Sequence, residues 1–109
     1  MQQLTIQNLQ EYLKLKYKGR ATSTDFFMKL VEEIGEVAEA LNELEGRKAK
    51  KESTSLEEEL ADIIHYTVSI ANAHDIDLAE AILRKDKTAS VKYNFSPNLE
   101  EHLDKTEES

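Results

Sequence analysis

Five acidic residues in two short segments carry most of the chemistry available to this chain. LVEEIGEVAEAL (Leu30 to Leu41) holds Glu32, Glu33 and Glu36 in an otherwise apolar run, and LEEELADIIHYTVSIA places Glu59 and Asp62 beside a second one. Carboxylates supply hard oxygen ligands without nitrogen or sulfur, the set that suits Mg²⁺ or Mn²⁺. Magnesium held by carboxylates commonly keeps several waters and bridges to substrate phosphates. The chain has no cysteine, so disulfides, zinc–thiolate centres and thiol nucleophiles are excluded.

Helices must position these groups. At about 100° per residue, Glu33 falls on the shoulder of the stripe formed by Phe27, Leu30, Ile34, Val37, Leu41 and Leu44. Glu36 lies one step outside it and Glu32 further round. On the second segment the stripe is Leu56, Leu60, Ile63, Thr67, Ile70 and Ala71, with Glu59 at its edge beside Ile70 and Asp62 beyond. Each helix thus carries an acidic pair three residues apart, close enough to hold one ion from one side. In an antiparallel hairpin the pairs approach one another, offset by about one turn in an ideal arrangement. Four carboxylates converging beside an apolar core repel one another unless protonated or neutralised by a cation. Spacing alone also fits solvated acidic helix faces, since 22 of the 109 residues are Asp or Glu.

Three glycines and one proline punctuate the chain. A first helix is expected from Ile6 to Lys18, ended by Gly19. The second runs from Asp25 to Glu45 and stops at Gly46, with Ser23 or Thr24 as N-cap. RKAKKEST (Arg47 to Thr54) reads as a basic loop. Thr54 with Glu57, or Ser55 with Glu58, opens a third helix ending near Ala73, and Asp77 with Glu80 opens a fourth reaching Tyr93. The expectation is an all-α, antiparallel four-helix, bundle-like domain over residues 1–93. A mobile acidic tail is expected over 94–109. A chain of this length buries a modest fraction of its surface, so oligomerisation is expected to complete the core.

The net charge of −8 argues against binding a nucleic-acid polymer, which requires a positive footprint. No apolar run approaches the roughly 20 residues of a membrane span, nor the length of a signal peptide, and a cytoplasmic location is expected.

With their flanks, the acidic motifs resemble those of the MazG-type nucleotide pyrophosphohydrolases, an all-α superfamily marked by E-E-x-x-E and a later E-x-x-D. Here these are Glu32-Glu33-Ile34-Gly35-Glu36 and Glu59-Leu60-Ala61-Asp62, and the likeness extends from Ser23 to Tyr93 through IDLAEAI. The resemblance implies Mg²⁺-dependent hydrolysis of (d)NTP to the monophosphate and pyrophosphate, in nucleotide-pool housecleaning or regulation. It implies Glu33, Glu36, Glu59 and Asp62 as metal ligands, and Glu32 as the residue that orients or deprotonates water or supports the ligands from behind. It also implies Lys85, Lys92 and Tyr93 as substrate contacts. Ala89 stands where the family has asparagine, and Lys92 where it has arginine. A homodimer or homotetramer is expected. The competing reading is a non-catalytic acidic helical module that binds protein partners.

Other residues carry less. His65, His74 and His102 lack ligand-like spacing and are assigned structural or surface roles. Tyr12, Tyr17, Phe26 and Phe27 suit packing better than base stacking. Gly35 inside a helix costs about 1 kcal/mol relative to alanine, which suggests close helix approach or access to the acidic site.

Overall fold

The computed structural model describes residues 2–46 and 55–108. The described residues form five helices and no strand: α1 (Ile6–Tyr17), α2 (Ser23–Leu44), α3 (Leu56–Ala73), α4 (Leu78–Lys92) and α5 (Leu99–Glu108). They divide into two compact units, residues 1–75 and 76–109.

In the first unit, local hydrogen bonds set the helix starts. Thr5 and Asn8 close a reciprocal capping box, each backbone N–H donating to the other's side chain at 3.0 Å. The α2 cap is Thr22, one residue before Ser23 and two before Thr24, the expected candidates. Its N–H donates to Asp25 Oδ2 at 3.0 Å, while Asp25 N–H donates to Thr22 Oγ1 at 3.2 Å. Only Thr22 has an acidic residue three positions on to complete this exchange. Ser55 caps α3 by accepting from Glu58 N–H, as one of the two expected pairs has it. At the end of α1 the left-handed residues are Lys18 (φ 46°) and Gly19 (φ 74°). The expected basic loop, Arg47 to Thr54, lies outside the described residues.

Helix α3 packs against both α1 and α2. The polar contacts show antiparallel pairing. Gln10 meets Asn72 and Tyr17 meets His65, so residues ascending α1 descend α3. Phe26 lies near this end of α3, whereas Glu36 lies against Glu59. The buried apolar residues include Leu13 and Val68, each 1% exposed, and Phe26, Ala40 and Ala71. Burying a side chain of the Leu or Val type stabilises by about 1.5–3 kcal/mol. Gln10 Nε2 donates to Asn72 Oδ1 at 2.8 Å, and Asn72 Nδ2 donates to the backbone carbonyl of Gln10 at 2.9 Å.

The α2 stripe is not wholly internal. Phe27, Ile34 and Leu41 are exposed in this chain, as are Val31 on α2 and Leu60 and Ile64 on α3. Helix α3 lies along one side of α2, and a stripe wide enough for two neighbours retains an uncovered flank. Gly35 is likewise open, because a Cβ there would meet nothing within 4 Å. It does not mark a close helix approach.

In the second unit, α4 and α5 pack together. Asp77 accepts from Glu80 N–H at 3.1 Å, as expected, and opens α4. The fifth helix corrects the expected count of four. Asn98 and Glu101 form its capping exchange at 2.9 and 3.2 Å, and Leu99 N–H donates to Asp86 Oδ2 at 2.7 Å.

Candidate metal and nucleotide site

Antiparallel packing of α2 on α3 brings the two acidic pairs together. One carboxylate oxygen from each of Glu33, Glu59 and Asp62 lies within 4.8 Å of the others. Glu36 belongs to the same group. Its carboxyl is held above its ordinary pKa, first by a hydrogen bond with Glu59, then by the Glu59 charge and by burial. The Glu59 carboxyl is also raised, first by its hydrogen bond with Glu33, with desolvation and the charges of Glu33 and Asp62 adding to it. The structure therefore brings together the four residues expected as metal ligands.

Burial follows the angular positions on the helices. Glu59 is buried, Glu33 half-buried, and Glu36 and Asp62 exposed. Glu33 Oε2 and Glu59 Oε2 are shielded from solvent and lack a hydrogen-bond partner. An unpartnered buried carboxylate oxygen is costly, and a cation resolves that cost where apolar neighbours cannot. Orphaned buried oxygens and an all-oxygen donor set fit a hard divalent ion. Glu59 also lies in the first turn of α3, where the helix dipole favours negative charge.

Glu32 is exposed beside the cluster. Lys29 Nζ approaches its carboxylate to 3.5 Å, on side chains that are about 60% exposed, so the ion pair adds little stability. Sequence reasoning missed Lys29 and Tyr66. Burial raises the Tyr66 phenol above its ordinary pKa, and the charges of Asp62 and Glu33 push in the same direction. One signal was available: Lys29 precedes Glu33 by four residues and Tyr66 follows Asp62 by four, so each shares a helix face with a ligand candidate. His65 is structural, as expected. Its Nε2 is 2.6 Å from the Tyr17 hydroxyl, and burial, helped by the Lys16 charge, favours the neutral ring.

In the second unit, Lys85, Lys92 and Tyr93 share one face of α4. With Arg84, Thr88 and Ala89 they line a cavity of about 590 Å³. Lys92 Nζ lies 5.3 Å from the Tyr93 ring centroid. Arg84 adds a third cation to this face, with Glu80 at 3.8 Å.

The chain is similar to known proteins. A family model described as the MazG nucleotide pyrophosphohydrolase domain matches residues 21–92. "Uncharacterized protein YpjD" of Bacillus subtilis is 43% identical over 56 residues, covering 49% of this chain and 50% of that relative. The chain thus spans about half the length of the curated relative it matches. The crystal structure of iMazG from Vibrio DAT 722 superposes with a TM-score of 0.62 at 28% identity, covering 84% of this chain and all of that one. No described helix is long and apolar enough to cross a membrane. With two opposed acidic pairs on packed helices, and a family match spanning α2 to α4, the chain belongs to the MazG nucleotide pyrophosphohydrolase domain family.

Proposed function

We propose that this chain hydrolyses nucleoside triphosphates to nucleoside monophosphate and pyrophosphate with Mg²⁺, Mn²⁺ being a possible substitute. The observation that carries this reading is the Glu33–Glu59–Asp62 cluster with its two orphaned buried oxygens. Glu33, Glu36, Glu59 and Asp62 would hold the cation. A divalent ion bound there supplies charge neutralisation for the polyphosphate and Lewis acidity at the scissile α–β anhydride.

The chain's own groups do the rest. Glu32 orients the attacking water or takes its proton, and Lys29 lies 3.5 Å from its carboxylate. Lys85 and Lys92 neutralise phosphate oxygens, and Tyr93 flanks the nucleotide. Lys92 provides charge without the bidentate fork of arginine, and Ala89 offers no amide, so nucleotide placement differs from members carrying both. The working domain extends to Tyr93.

A second copy of this chain covers the apolar flank of α2 and α3. Phe27, Val31, Ile34 and Leu41 recur there at helical spacing, with Leu60 and Ile64 on α3. The product is a homodimer or homotetramer in the cytoplasm, acting in nucleotide-pool housecleaning or regulation.

The test incubates the protein with a panel of (d)NTPs and Mg²⁺ and quantifies monophosphate and pyrophosphate. Turnover of at least one substrate to those two products is expected. No turnover anywhere on the panel would leave the acidic helices as a protein-interaction module, and orthophosphate as primary product would change the reaction class.

A further inference from the structure

A cavity of about 470 Å³ opens where α1 ends, α2 begins and α3 finishes. Its apolar walls include Leu13 and Phe26, both buried, and Tyr17, which meets Phe26 edge-on at 4.8 Å between ring centroids. Lys14 and Lys18 line it from the end of α1, and Thr22 and Ser23 line it from the start of α2. Among the described lining residues there is no carboxylate, although 22 of the chain's 109 residues are Asp or Glu. Asp25, the first acid of α2, accepts from the Thr22 N–H and lines the neighbouring cavity between Tyr17, Phe26 and Tyr66 instead. Neither Lys14 nor Lys18 forms an ion pair among the described residues.

We propose that this cavity binds a small organic dianion, a phosphate monoester carrying an aromatic or other apolar body. Apolar walls with a few placed polar groups are the usual composition of a small-molecule site, and the volume falls in the usual range of about 300–1,000 Å³. Two lysines four residues apart lie close enough to share one ligand, and a phosphate monoester supplies about two charges for them at neutral pH. Lysine binds phosphate as a point charge, without requiring the planar geometry of an arginine fork. The Thr22 hydroxyl oxygen accepts from the Asp25 N–H, so its O–H remains to donate, and the Ser23 hydroxyl stands beside it. Other polar groups of the wall make no demand on a ligand. Ser69 donates to the His65 carbonyl, and Asn72 is engaged with Gln10.

This site is separate from the carboxylate cluster. Thr22 precedes Glu33 by eleven residues, about 16 Å along α2, which a small monoester does not span. The proposal therefore stands independently of the hydrolase reading. A ligand held by Lys14 and Lys18 on one side and by the Thr22 and Ser23 hydroxyls on the other bridges α1 to α2. It braces the turn between them, where Lys18 and Gly19 are left-handed (φ 46° and 74°). By mass action the folded chain gains stability as the site fills, so metabolites of this class act as stabilising effectors.

The test measures calorimetric binding of phenyl phosphate near physiological ionic strength. Divalent ions are first removed on a chelating resin, so that no metal bridges the probe to the carboxylates. Phenyl phosphate should bind saturably, at least about 10-fold more tightly than inorganic phosphate, which lacks the ring, or phenol, which lacks the dianion. Lys14→Gln and Lys18→Gln should each weaken it by about 10-fold, the lower end for a lost charged hydrogen bond because both side chains are exposed. Lys16→Gln removes the same charge from α1 at a position that does not line the cavity, and should change binding by less than about 2-fold under salt screening. Ala73→Phe, at an exposed lining position, should obstruct the cavity and abolish binding with every charge kept, while circular dichroism shows intact helices. Absence of saturable binding, inorganic phosphate binding as tightly as phenyl phosphate, or equal losses in Lys14→Gln and Lys16→Gln would each overturn the site.

Discussion

Titrating Mg²⁺ into the protein across a pH series should stabilise it and release protons together. Glu36 and Glu59 both have raised pKa values through hydrogen bonds within the carboxylate cluster. Without a cation, the folded chain therefore binds more protons than the unfolded chain at pH values above the ordinary 4.5 of glutamate. The sign follows: their contribution to stability is complete below that value and is lost as pH rises through the raised folded values. Mg²⁺ binding runs the opposite way, because the ion displaces those protons. Its affinity should strengthen about 10-fold per pH unit for each displaced proton, hence up to about 100-fold where both carboxyls titrate. Above that window the affinity should level off. At 100 times Kd the ion adds about 2.7 kcal/mol, which raises Tm by about 10–20 °C for a chain near 100 residues. Calorimetry in buffers of different ionisation heat counts the released protons, and thermal melts follow stability. Glu59→Gln should flatten the pH dependence of the metal-free protein and abolish the Mg²⁺ shift. An unchanged Mg²⁺ shift in that variant, or no proton release at any pH, would refute the assignment of the cluster.

Glu36→Gln and Asp62→Asn should each lower Mg²⁺ affinity and turnover by 10-fold or more, on the order of a lost charged ligand, while circular dichroism shows intact helices. Lys85→Ala should raise KM by about 10-fold, since it removes a charge-assisted phosphate contact, with the products unchanged in a steady-state assay. Leu13→Ala should destabilise by about 2–5 kcal/mol in urea unfolding, because Leu13 is 1% exposed and its loss leaves a cavity at the α1–α3 contact.

Periodicity made the main helices legible, because α2 and α3 each carry apolar residues at three- and four-residue steps beside their acids. Their angular positions put Glu59 and Glu33 on the stripe edge and Glu36 and Asp62 outside it, and the structure follows that order of burial. It could not show which flank of the stripe would be covered. Phe27 and Ile34 look like core in a helical projection, yet they are exposed because α3 takes only one side of α2. Helix α2 starts at Ser23, two residues before the expected Asp25, because three consecutive hydroxyl residues, Thr22 to Thr24, all suit a cap, and only the partner Asp25 decides among them. Helix α5 carried a readable signal, an asparagine three residues before a glutamate, that was outweighed by its polar composition. The Tyr17–Phe26–Tyr66 cavity was not legible, because its walls come from three helices and depend on where α1 crosses the other two.

The Gln10–Asn72 exchange constrains how this sequence can change. The Gln10 side-chain amide donates to Asn72 Oδ1, Asn72 Nδ2 donates to the backbone carbonyl of Gln10, and Gln10 is 8% exposed. Replacing Gln10 by an apolar residue removes the donor to the part-buried Asn72 Oδ1 at a cost of about 1–3 kcal/mol, whereas apolar residues of matching shape at both positions can be nearly neutral. The two positions are therefore epistatic: a lineage exchanging this contact for a hydrocarbon one must cross a destabilised intermediate or change both sites together. Positions 10 and 72 should accordingly vary as a pair across related sequences, 62 residues apart along the chain yet bound to a common substitution history.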